Sequence, residues 1–167
     1  MPGRRLQRLV TRPRYPDEDI GVADARTVPW EGFYNARDLG GLPLRGGGST
    51  RSGVFYHSAT VGFVTARGWQ QAYDAGVRTV IDLRNDDEVS TEATAPAHMV
   101  RRRVPLDGIE DFEFWEPFLA SGLHGTPLYY EKFLREKSDR VAAAMTALAD
   151  SDGGVVFTAA AVATGLG

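Results

Sequence analysis

The sequence predicts an α/β domain, a central and mainly parallel sheet flanked by helices. Three observations carry this. Val77 to Leu83 is a β-branched run of the kind that parallel strands show when both faces are covered. Val155-Val156-Phe157 is a second apolar run of the same character. Between them, Ser138 to Ala149 carries apolar residues at helical spacing, and helices alternating with strands define an α/β layer architecture. The two runs are expected to be adjacent parallel strands near the sheet centre. Asp82 would then lie close to Thr158 and Ala159 at the shared C-terminal edge. With 167 residues, one domain is the default.

The elements follow in order. Residues 1–27 read as a polar, Pro-containing lead-in, and an organised domain is expected over 28–167. Gly40 to Leu44 and Gly46-Gly47-Gly48 are turn chemistry. Arg51 to Ser58 reads as a short strand, Val54 and Tyr56 alternating with Phe55 and His57. Thr65 to Ala75 predicts a helix, with Thr65 as N-cap, Trp69, Ala72 and Tyr73 on one face, and Gly76 ending it. Val100 to Leu106 is a candidate strand, in which Val104 and Leu106 alternate. Residues 107–127 read as an aromatic loop. Leu128 to Glu136 predicts a helix. The helix from Ser138 to Ala149 is expected to be capped by Ser138 and to carry Val141, Met145 and Leu148 on one face.

Composition removes several classes of function. The chain is 43% hydrophobic and 25% charged, which gives a core and excludes a disordered chain. A net charge of −3 argues against a nucleic-acid partner. There is no cysteine, so disulfides, Cys-ligated zinc, iron–sulfur clusters and thiolate nucleophiles are all excluded. Of the 19 basic residues only Lys132 and Lys137 are lysine, a composition typical of a GC-rich gene. No stretch approaches the roughly 18 apolar residues that would span a bilayer. The five arginines of residues 1–14 have no apolar segment behind them, so no signal peptide is read and a cytoplasmic location is expected.

Four segments together resemble a known family. Tyr34-Asn35-Ala36-Arg37-Asp38-Leu39-Gly40-Gly41 is followed by Val54-Phe55-Tyr56-His57-Ser58. Next comes Gly76-Val77-Arg78-Thr79-Val80-Ile81-Asp82-Leu83-Arg84-Asn85 with Glu88 in register, and then the stretch after Val155-Val156-Phe157. This order resembles the bacterial and fungal tyrosine phosphatases with an N-F-R-D-L-G-G segment, a D-L-R-S segment and an H-C-x-A-G-K-D-R-T-G loop. The resemblance covers residues 28 to 157. It implies hydrolysis of phosphotyrosine, or of phosphoserine, phosphothreonine or phosphoinositides, with no cofactor. In such a loop a thiolate attacks phosphorus, backbone N–H groups cradle the phosphate, an Arg grips two of its oxygens and an Asp protonates the leaving group.

In this chain that loop lacks its reactive groups. Matched from the left, Thr158 takes the place of the family's His and Ala159 that of its nucleophilic Cys. Matched from the right, Thr164-Gly165 takes the closing T-G and Ala163 the place of the phosphate-binding Arg. The two matches differ by two residues, so Ala160, Ala161 and Val162 belong to a shortened remnant. The family's C-terminal helices are expected to be missing, which makes the domain incomplete. The resemblance therefore implies an inactive phosphatase-like domain, with a pseudophosphatase or plain interaction module as the alternative. Its partner would be a phosphorylated protein or a phosphoinositide if a phosphate site survives, and an uncovered sheet face would favour a homodimer.

Single residues carry two readings each. Asp82 is a candidate acid or orienting group by resemblance, and Arg84 supports it, or the two form an ion pair closing a strand end. Asp82 does not resemble a phosphoryl nucleophile, because Arg84 stands where a second Asp would follow. Asn35, Arg37 and Asp38 form either a polar network under the site or loop-fixing hydrogen bonds. Asp86-Asp87-Glu88 lacks the spacing of a calcium loop and reads as a solvated helix start. His57, His98 and His124 have no ligand spacing, so no metal is expected. Arg101-Arg102-Arg103 is solvated surface or draws anions in. Phe112, Phe114, Trp115 and Phe118 are a packed plug or, by resemblance, a helical lid.

Overall fold

The computed structural model describes residues 26–89 and 95–159. A five-stranded sheet runs through it, with β1 at Arg37–Asp38, β2 at Phe55–Ser58, β3 at Val77–Asp82, β4 at Val100–Arg103 and β5 at Gly154–Thr158. The spatial order is β1-β2-β5-β3-β4. Strands β2, β5, β3 and β4 are all parallel, and β1 alone is antiparallel. The two apolar runs of the sequence are therefore neighbours, with Val80 opposite Val156 and Asp82 opposite Thr158. Ahead of β1, Thr27 bridges Arg37 and the Asp38 N–H donates to the Arg26 carbonyl at 2.8 Å.

Helix α1, Ala66–Asp74, covers one face. Thr65 caps it by accepting from the Gly68 N–H at 3.1 Å, and Gly76 follows the cap at φ +94°, a conformation that costs glycine little. Trp69 and Ala72 meet Tyr56, Val80 and Val156, together with Trp30 and Phe33 from the entering loop. Helix α4, Ser138–Ala149, covers the opposite face through Ala147 and Leu148, against Ile81, Val155 and Phe157. Residues on alternate positions of β3 and β5 thus serve opposite layers, as the pleat requires.

Helix α2 spans Phe112–Ser121 and α3 spans Tyr130–Glu136. The first corrects the expected loop at 107–127. Asp111 caps α2 by accepting from the Phe114 N–H at 3.1 Å, and a left-handed Gly122 ends it. Pro117 lies inside the helix and masks the pattern in the sequence, since a proline there forfeits a backbone bond. Phe114, Trp115 and Phe118 pack on Phe133, Tyr129, Leu106 and Val141 as a satellite core. Phe112 points away and is 74% exposed.

Helix α4 keeps its expected bounds but not its expected cap, and of its expected face Val141 and Leu148 pack on the core while Met145 does not. Its N-cap is Lys137, without a side-chain cap bond, and Ser138 is already helical. Ala144 and Ala147 are the buried positions, while Met145 is 59% exposed. The small alanines let the helix lie close to the sheet, which turns the bulkier Met145 outward.

Candidate functional site

The C-terminal ends of β2, β5 and β3 bring three polar side chains into one row. Ser58 is opposite Thr158, and Thr158 is opposite Asp82. All three are fully buried. Burial of polar groups is tolerated only when their hydrogen bonds are made, and here they are. The Ser58 hydroxyl donates to the Tyr34 carbonyl at 3.3 Å, and the Thr158 hydroxyl to the Ala59 carbonyl at 2.6 Å.

Asp82 is held by two arginines. Arg84 donates from Nε to Oδ1 at 2.8 Å and from Nη2 to Oδ2 at 2.9 Å, a bidentate fork. Arg101 adds Nη2 to Oδ2 at 2.6 Å. Arg84 also donates through Nη1 to the Thr60 hydroxyl at 3.0 Å and is itself only 7% exposed. Burial pushes the Asp82 carboxyl up, but the hydrogen bonds and charge of the two arginines outweigh it. They bring it down from 3.8 to about 2. At neutral pH it is a carboxylate that accepts and does not donate.

The supporting residues divide between the two ends of the sheet. Asn35, at φ +51°, precedes the antiparallel β1 and so stands at the Asp82 edge, where its backbone carbonyl accepts from His57. Burial and the nearby Arg37 charge keep the His57 imidazole below its ordinary range despite that bond. Arg37 donates to the Ala36 carbonyl at 3.1 Å. Asp38 turns to the other edge. Its Oδ1 accepts from the Gly40 N–H at 2.8 Å and its Oδ2 from the Gly53 N–H at 2.9 Å, so it fixes a loop rather than contacting Asp82. Ala159 follows Thr158 directly. Ala160, Ala161, Val162, Ala163, Thr164 and Gly165 lie outside the described residues.

Sequence reasoning overlooked Arg101 as a partner of Asp82. The signal was available: on a strand, Arg101 and Arg103 share one face and Arg102 takes the other. Arg103 pairs with Asp86 at 2.5 Å, and Arg102 donates to the Asp150 carbonyl at 2.9 Å behind the sheet. Glu88 accepts from the Asn85 N–H at 2.7 Å, closing the short turn that follows β3. Asp107 was overlooked as well. Burial pushes its carboxyl up, Glu88 adds to the shift and Arg140 opposes it. It follows Leu106, whose N–H donates to the Leu83 carbonyl at 3.1 Å, so it belongs to the same edge as Asp82. The Trp115 indole donates to the Asp107 and Gly108 carbonyls at 3.2 Å and ties α2 to this edge.

A sequence profile described as the tyrosine phosphatase family matches residues 28–161, which include all five strands and all four helices. The chain belongs to the tyrosine phosphatase family. No curated protein sequence matches it. Its sequence contains no cysteine. No helix among the described residues is long and apolar enough to cross a membrane.

Proposed function

We propose that this polypeptide is a tyrosine phosphatase domain that does not turn over phosphomonoesters by a covalent thiol route and acts by binding. The observation that carries this reading is Ala159 directly after β5, in a chain without cysteine. A methyl group has no lone pair with which to attack phosphorus. Two arginines bind Asp82 as a carboxylate, which supports an orienting role for it over that of a proton donor. The ligands this reading favours are a phosphorylated protein or a phosphoinositide headgroup.

The guanidinium of Arg84 is engaged by Asp82 and Thr60, which favours a second reading, an interaction module that recognises no phosphate. Two measurements test the pair. Purified chain incubated with p-nitrophenyl phosphate and with a phosphotyrosine peptide is expected to match a buffer blank. Turnover that persists through purification and vanishes in Asp82→Ala overturns the non-catalytic reading. Calorimetric titration with the phosphotyrosine peptide, its unphosphorylated twin and a soluble inositol phosphate separates the rest. Binding that depends on the phosphate supports the first reading, and equal or no binding supports the second.

A further inference from the structure

At the sheet edge opposite Asp82, residues 41–50 form an antiparallel arm. The Thr50 N–H donates to the Leu42 carbonyl at 2.9 Å, the Leu44 N–H to the Gly48 carbonyl at 3.1 Å, and Pro43 bridges Ser49. Every residue from 41 to 49 is exposed. Asp38 braces both ends of the arm through Gly40 and Gly53. Leu42 and Leu44, two apart, lie on one face of the arm and are 36% and 49% exposed. A two-stranded hairpin is marginal alone, so a braced one that displays two leucines presents an unburied apolar face.

A groove of about 430 Å³ begins at the base of the same arm. Arg51 and Gly53 at the base of the arm, Phe55 and Val155 of the sheet, and Leu148 and Ser151 at the end of α4 line it. This is the part of the sheet over β2 that α4 leaves uncovered, and Phe55 is 37% exposed there. The charges are complementary. Arg45 near the tip of the arm forms no ion pair with another described residue, and neither do the carboxylates of Asp150 and Asp152, which alternate with the groove residues Ala149, Ser151 and Gly153.

We propose that the groove is occupied by the arm of a second copy of this chain. Arm and groove share a boundary, so a two-fold axis beside them lays each arm across the partner's groove, the self-complementary arrangement of an isologous dimer. Leu42 and Leu44 then cover Phe55 and Leu148, and Arg45 meets Asp150 and Asp152. The contact lies at the opposite edge from Asp82 and leaves that site open, so dimerisation and ligand binding can be measured separately.

Sedimentation velocity of the full chain over a wide concentration range tests this. A reversible monomer–dimer equilibrium is expected. Leu44→Asp, and independently Leu42→Asp, should weaken it by at least about tenfold, as loss of an interface anchor does. Both positions are exposed, so the far-UV spectrum should stay that of the parent chain, and the melting temperature that of the parent at concentrations where it is monomeric. Arg45→Glu should weaken the dimer, and adding Asp150→Lys and Asp152→Lys to it should restore association. Leu134→Asp, at an exposed leucine on α3, should change nothing. A monomer at every concentration overturns the proposal, as does a dimer indifferent to Leu44→Asp or one lost with Leu134→Asp. A monomer that instead binds anionic vesicles through Leu42 and Leu44 also overturns it, and assigns the arm to a lipid surface.

Discussion

Arg84 grips both oxygens of Asp82 from only two residues further along the chain, and both side chains are buried. The turn out of β3 folds back on its own last residue, reinforced by the Arg84 N–H to Oδ1 at 3.3 Å. A buried pair is costly to break from one side, because the surviving charge stays desolvated and unpaired.

Asp82→Asn should therefore destabilise the domain by roughly 3–5 kcal/mol in urea unfolding. Replacing the pair together, Asp82→Leu with Arg84→Met, should cost less than either single change, since the buried Arg84 charge is not stranded and Arg101, which also loses its partner, is 31% exposed and can be solvated. A double variant worse than both singles would show that the pair is needed for more than mutual neutralisation.

Acid should expose the same interaction. The Asp82 carboxyl lies at about 2 in the folded chain against an ordinary 3.8. A depressed carboxyl contributes stability above its unfolded value and loses that contribution as pH falls toward its folded value. The loss thus falls between about pH 4 and pH 2, and amounts to about 2 kcal/mol by linkage. Unfolding free energies of the parent chain and Asp82→Asn should converge across this window. Parallel curves would refute it.

The entry loop bears directly on α1. A Cβ on Gly68 would lie 1.8 Å from the Glu31 carbonyl oxygen. Alanine ordinarily gains about 1 kcal/mol over glycine inside a helix. Gly68→Ala should nevertheless lower the melting temperature, because overpacking commonly costs 1–3 kcal/mol and here the obstacle is backbone. Calorimetry showing a higher melting temperature would mean that the loop yields.

The two sides of α4 should respond unequally to charge. Met145→Lys should stay within about 0.5 kcal/mol of the parent, as exposed substitutions do. Ala147→Lys should cost at least about 1–3 kcal/mol, because it forces a long side chain between helix and sheet. Chemical unfolding of the two variants checks this. Equal effects would mean that the helix can rotate.

The bounds of α4 are legible from apolar spacing, but which residues of its apolar face are buried is not. Val141 and Leu148 do pack on the core, but Ala144 and Ala147 are the buried positions and Met145 is turned out. Size is not encoded in an apolar count. The sheet was read correctly at β3 and β5, since a strand buried on both faces has a near-continuous apolar signature. Helix α2 was lost to Pro117, which breaks the local signal while capping by Asp111 and packing on Phe133 sustain the element. At the site, Asp82 and Arg84 stood out as neighbours in sequence. Arg101, 19 positions away, reaches Asp82 only through the pairing of β3 with β4.

The strand order has a kinetic consequence. β5 is the last described strand in the chain yet sits between β2 and β3. Its pairing joins Phe55 to Val155, so the central contacts of the sheet close a very long loop. Until β5 has emerged from the ribosome, the nascent chain holds two separate strand pairs, each with an open edge facing a gap. Folding dominated by such non-local pairings is slow, and unpaired edges are aggregation-prone while they wait. The nascent chain is thus most dependent on chaperone protection between synthesis of β4 and arrival of β5.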